Sequence, residues 1–138
     1  GHCSVAYEMR RRGYDVEANP AEKMYISDWE KLFKDADILT ITATETTALE
    51  IVSSGLLARY ENGARGSIFV HWKNIKKGHF FSWEIENDQI RYMDGQNGVT
   101  DASSYFETID PTTIITARWD NAEPTEAVGK ACKNKDGE

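Results

Sequence analysis

Residues 78–96, GHFFSWEIENDQIRYMDGQ, constrain the fold of this chain more than any other stretch. Their character alternates on either side of a polar break. His79, Phe81, Trp83 and Ile85 fall on one face of a first extended run, and Ile90, Tyr92, Asp94 and Gln96 on one face of a second. Between them lies Glu86-Asn87-Asp88-Gln89, whose Asn-Asp pair suits a two-residue turn with positive φ. A hairpin closed there opposes Glu86 to Gln89, Phe81 to Asp94 and His79 to Gln96. Opposed residues share a face, so the apolar row ends in His79, Asp94 and Gln96. His79 and Asp94 are then diagonal neighbours within side-chain reach. An apolar face ending in an imidazole, a carboxylate and a carboxamide suits a base and the group that orients it. Two blander readings use the same residues: His79 as a satisfied structural histidine, and Asp94-Gly95 as a turn with Asp94 as its former.

The start of the chain bears on that choice. Residues 4–12 have the pattern of a helix, with Val5, Ala6 and Met9 as an apolar stripe and Gly13 as the stop. Cys3 then sits at the helix N-terminus, where unpaired N–H groups and the positive end of the dipole favour a thiolate. Thiolate is the nucleophilic form of cysteine. The alternative is a small capping or packing residue. Arg10, Arg11 and Arg12 are expected to form a solvated face.

The remaining chain reads as α+β, helices first and then a small antiparallel sheet. Residues 14–18 are extended and closed by Asn19-Pro20. A helix is expected at 29–36, capped by Ser27 or Asp28, and an extended segment at 38–43. A second long helix is expected at 46–60, with Leu49, Val52, Leu56 and Leu57 as its core stripe. Strands follow at 67–73 and 112–119, with a short helix at 103–108. The polar residues 121–138 are expected to be a poorly ordered tail.

Composition limits the possible functions. The 138 residues suit one domain, and 40% hydrophobic with 11% aromatic residues is the composition of a packed core. A formal charge of −7 argues against a nucleic-acid partner, because neutralising phosphates needs a basic surface. No apolar run approaches a membrane span and no signal peptide is read, so no membrane partner is expected. Cys3 and Cys132 make no disulfide framework. No Cys or His cluster has metal-ligand spacing, and no Gly-rich loop suits phosphate, so no metal or cofactor is expected. The chain starts without Met and reads as a piece of a longer protein.

If the helix bearing Cys3 lies beside the open end of the hairpin, a nucleophile, a base and an acid follow in the order Cys, His, Asp. A cysteine on a leading helix, with the other two on a following sheet, is the papain-like arrangement. His79 takes the thiol proton, and Asp94 orients the ring. Gln96 supports that network or donates to the substrate. The N–H of Cys3 is the first oxyanion donor. The segments CSVAYEMRRRGYDVEA, GHFFSWEI, IRYMDGQ and SSYF together resemble the papain-fold toxin family of glutamine deamidases. Related domains occur in phage minor head proteins and polymorphic bacterial toxins. The family pattern has an Asn-Cys-x-x-Cys segment opening an Arg-rich helix, a His-x-Phe strand, an Asp-Pro-Gln motif and a Tyr-Phe pair. Cys3 matches the second cysteine of that segment. His79-Phe80-Phe81 matches the strand, and Asp94-Gly95-Gln96 the motif with Gly for Pro. Tyr105-Phe106 matches the pair. The first cysteine and its Asn would fall before residue 1; Cys3 is assigned as nucleophile because it directly opens the helix.

The resemblance spans roughly residues 3–119. It implies a deamidase or toxin domain at 1–120, a cysteine-dependent amidohydrolase that converts a glutamine of a target protein to glutamate. It also implies a delivered effector, made in a bacterial cytoplasm and acting in that of the target cell, or a phage-associated one. A cognate immunity protein is the implied partner. The alternatives are a cysteine peptidase or transglutaminase of the same fold, or a non-catalytic binding domain.

Overall fold

The computed structural model describes residues 2–19, 25–75 and 77–134. In chain order they form α1 (His2–Arg11), β1 (Val16–Ala18), α2 (Ile26–Trp29), β2 (Phe33–Lys34), β3 (Asp37–Ile41), α3 (Ala48–Arg59) and β4 (Arg65–His71). There follow β5 (Gly78–Glu86), β6 (Gln89–Met93), a 3-10 helix (Ser103–Glu107), β7 (Ile114–Arg118), β8 (Glu123–Pro124), α4 (Val128–Ala131) and β9 (Cys132–Asn134). The fold is α+β, built on a five-stranded antiparallel sheet in the order β3-β7-β4-β5-β6. Two small ribbons, β1–β9 and β2–β8, complete it.

The central hairpin forms as its alternation requires. Glu86 pairs with Gln89, Trp83 with Tyr92 and Ser82 with Met93. The turn residues Asn87 and Asp88 have φ of 53° and 61°, conformations in which Asn and Asp are the least penalised side chains. The pairing stops at Met93. Asp94 instead exchanges backbone hydrogen bonds of 2.8 Å with Val99, and Gly98 turns the chain with a φ of 67°. Residues 94–99 are therefore a loop, and the expected His79–Gln96 pair is not made.

Because side chains alternate across a strand, β5 serves two cores. On one face, Phe81, Trp83 and Ile85 join Ile68, Val70 and Ile114 against Ala48, Val52 and Leu56 of α3. On the other, Phe80, Phe69 and Ile115 pack towards Val5, Ala6 and Met9 of α1, with Trp29, Phe33 and Trp119. Each such large apolar side chain contributes about 1.5–3 kcal/mol when fully buried. The sheet thus lies between α1 and α3.

Several expectations are corrected. Leu49 and Leu57 stay exposed, because α3 turns Ala48, Val52 and Leu56, at i, i+4 and i+8, towards the sheet. The helix expected at 29–36 is one turn ending at Trp29; Asp28 accepts the N–H of Tyr25 rather than capping from outside. Asp35 takes a φ of 54°, and Phe33–Lys34 pairs with β8. The tail expected to be poorly ordered folds back over 123–134 as β8, α4 and β9. Four of its apolar residues, Ala122, Val128, Ala131 and Cys132, are buried, and Ala127 is partly so. Pro20 and residues 135–138 lie outside the described residues.

Arg10 and Arg11 are exposed as expected, but with Arg12, just beyond α1, they also bond to the protein. Arg12 donates to Glu8 and to the carbonyls of Trp119 and Ala122, Arg10 to the carbonyl of Val16, and Arg11 to Glu84. Planar guanidinium groups satisfy several buried acceptors at once, which explains their use here. Two buried carboxylates, Glu8 and Glu84, each collect several donors. Glu8 is held by Arg12 and by Arg65 of β4, and Glu84 by Tyr7, Arg11 and Arg91. Both tie α1 to the sheet. Among the described residues, no helix is long and apolar enough to cross a membrane.

Candidate active site

Three elements meet at the open end of the hairpin. The first is α1, which begins at His2 and so carries Cys3 in its first turn. Ser82 of β5 donates to the Ser4 hydroxyl at 3.2 Å, fixing that turn against the sheet. The second is the loop after β6. A Cβ built on Gly95 would lie 3.4 Å from the Cys3 Cβ, so the loop passes directly over the cysteine. The third is β5, which carries His79 near its start.

The His79–Asp94 pair is made. His79 Nε2 lies 2.7 Å from Asp94 Oδ2, and the two side chains are 11% and 1% exposed. The imidazole is held on its faces as well. Trp72 stacks on it at 5.4 Å between ring centres, with Phe81 further off and Tyr105 edge-on at 6.0 Å.

Asp94 is the hub of the site. Its Oδ2 also accepts the Tyr105 hydroxyl at 2.7 Å and the Asn97 amide at 2.9 Å, and its Oδ1 accepts the Gln96 N–H at 2.9 Å. Burial pushes this carboxyl up, but the bonds from Tyr105, His79 and Asn97 outweigh it and hold it below the ordinary range. Asp94 is thus both the turn former and the partner of His79. An ionised Asp94 can only accept, so neutral His79 carries its proton on Nε2 and presents Nδ1 as the basic nitrogen.

Cys3 departs from expectation. Burial pushes its thiol up and the nearby Asp94 carboxylate adds to the rise, against a smaller opposing pull from Arg10. Desolvation of the charged form is the largest influence on this thiol. Cys3 is free and half-buried, and among the described residues no hydrogen bond reaches its Sγ. Burial thus works against a preformed thiolate at Cys3. Gln96 is exposed and serves Asp94 through its backbone N–H, its carboxamide lying outside the network.

The structure adds Tyr105, Asn97 and Trp72 to Cys3, His79 and Asp94. Tyr105 lies in the Tyr-Phe pair already visible in the sequence. The 3-10 helix divides that pair, sending Tyr105 to Asp94 and Phe106 into the core. Asn97 was hidden by its place in an Asn-Gly turn signal. Among the described residues, no group of three or more His, Cys, Asp or Glu side chains is arranged to hold a metal ion. The arrangement offers a base oriented by Asp94 and, beneath the Gly95 loop, a thiol at a helix start, groups of the kinds that acyl transfer uses. Comparison with protein-family models, curated proteins and solved structures finds no match to this chain.

Proposed function

We propose that the chain carries a papain-like cysteine amidohydrolase site that deamidates a glutamine side chain of a target protein. The observation that carries this reading is the buried His79–Asp94 pair at 2.7 Å, standing where Gly95 lies over Cys3. In the reaction, Cys3 Sγ attacks the carboxamide carbon as its proton passes to His79. The backbone N–H at the helix start receives the oxyanion. The C–N bond then breaks, and ammonia leaves with the proton from His79. His79 next takes a proton from water, whose oxygen attacks the thioester. The thiol and a glutamate side chain result. In this reading proton transfer accompanies the attack instead of preceding it.

The substrate class follows from the likeness to deamidase toxins, as do an effector role inside a target cell, or with a phage particle, and a cognate immunity protein. Peptidase and transglutaminase chemistry share the same acyl-enzyme. The test is a doubly blocked glutamine peptide, with release of ammonia and the mass change of an amide-to-acid exchange as readouts. Wild-type protein should release ammonia, and Cys3→Ala and His79→Ala should not. Undiminished release by Cys3→Ala would overturn the assignment. A non-catalytic binding domain is the second reading, favoured by the raised thiol and the missing Sγ hydrogen bond. It predicts that iodoacetamide labelling of Cys3 is unmoved by His79→Ala.

A further inference from the structure

Three side-chain donors converge on one oxygen of Asp94. His79 and Tyr105 each reach Oδ2 at 2.7 Å, and Asn97 at 2.9 Å. A carboxylate that only had to orient a histidine would be served by one of them. Tyr105 is also packed as a rigid bracket: its ring meets Trp72 at 5.3 Å, Phe81 at 5.3 Å and His79 at 6.0 Å, each edge to face. The hydroxyl is thereby aimed at the Asp94 oxygen that Asn97 also reaches. The other titratable groups facing Asp94 are His79 on β5 and Cys3 on α1.

We infer that Tyr105 and Asn97 are positioning residues. By donating to the oxygen that His79 uses, they keep Asp94 an anion in acid and fix the direction from which it meets the imidazole. His79 is then held with Nδ1 as its basic nitrogen over a wider range of pH than Asp94 alone would secure. The role in catalysis rests on the proposed function; the effect on Asp94 does not. Hydrogen bonds to the charged form of a carboxyl lower its pKa, so each donor removed should raise it.

The experiment is the titration of the Asp94 carboxyl carbon by NMR in the protein without substrate. Tyr105→Phe keeps the ring and its contacts and removes only the donor. Asn97→Ala alters an exposed residue and serves as an independent second variant. Each should weaken the acid dissociation of Asp94 by roughly ten- to a hundredfold, the range expected for one charge-assisted hydrogen bond, and the double variant by more than either. If Tyr105 is only a packing residue, Tyr105→Phe leaves the titration where it was, and the inference is overturned. It is equally overturned if the double variant titrates like wild type. Labelling of Cys3 by iodoacetamide, with His79→Ala as control, separates the two claims. A moved Asp94 titration with labelling indifferent to His79 upholds the positioning role and refutes the proposed chemistry. An unmoved titration with labelling that depends on His79 does the reverse.

Discussion

Replacing Glu8 by Gln should loosen the helix on which Cys3 stands. The Glu8 side chain is 2% exposed, and its two oxygens accept bonds of 2.8 Å from Arg12, and 2.8 and 3.0 Å from Arg65. The glutamine keeps the volume but removes the charge and turns one acceptor into a donor facing a guanidinium. Removing one partner of a buried ion pair costs about 3–5 kcal/mol, since the other is left uncompensated. Here the arginines are 20% and 16% exposed, and Arg12 keeps its bonds to the carbonyls of Trp119 and Ala122. Water can take up part of the loss, which brings the expected cost down to about 2–3 kcal/mol. For a domain of this size that is a fall in Tm of roughly 6–12 °C. Thermal unfolding followed by circular dichroism measures it, with Glu86→Gln as comparator. Glu86 also faces Arg11, at 3.6 Å, but is 56% exposed, and such a pair contributes at most about 1 kcal/mol. A Glu8→Gln protein that melts within about 2 °C of wild type, or no lower than Glu86→Gln, would refute the argument that this carboxylate clamps α1 to β4.

Two further outcomes follow from the geometry. A Cβ at Gly66 would lie 1.8 Å from the Ala117 carbonyl oxygen and 3.0 Å from the Trp83 ring, so Gly66→Ala has to force β4 away from β7. A loss of about 3 kcal/mol or more is expected from the urea midpoint; a wild-type midpoint would show that the strands yield freely. The depressed Asp94 carboxyl predicts the sign of a pH effect. Its contribution to stability is present above the unfolded carboxyl pKa of about 4 and is lost as pH falls through the lower folded value. The stability gap between wild type and Asp94→Asn should therefore shrink in acid. A gap that stays constant from pH 7 to pH 2 would contradict it.

What was legible in the chain is local chemistry. The two alternating runs and the Asn87-Asp88 turn determine the hairpin and its register, since side-chain period and positive φ are properties of a few adjacent residues. That register puts His79 and Asp94 at the same end of the hairpin, and the loop after Met93 completes the approach. The N-terminal helix, its stop at Gly13 and the later strands are readable for the same reason. Tertiary structure decided what depends on distant neighbours. Arg12 and Glu8 look solvated on a helix read in isolation, and become a buried clamp only when β4 supplies Arg65. Leu49 belongs to the apolar stripe of α3 by spacing, yet the angle at which the helix meets the sheet leaves it outside. The polar tail orders because Val128, Ala131 and Cys132 find a surface made by α1 and β1. At the site, a helix start favours a thiolate, but how far burial opposes it depends on the loop that passes over Cys3. The donors that hold Asp94 ionised, Tyr105 and Asn97, reach it across separate turns of the chain. No periodicity along the sequence records their meeting, because it is made by loops that the sheet brings together.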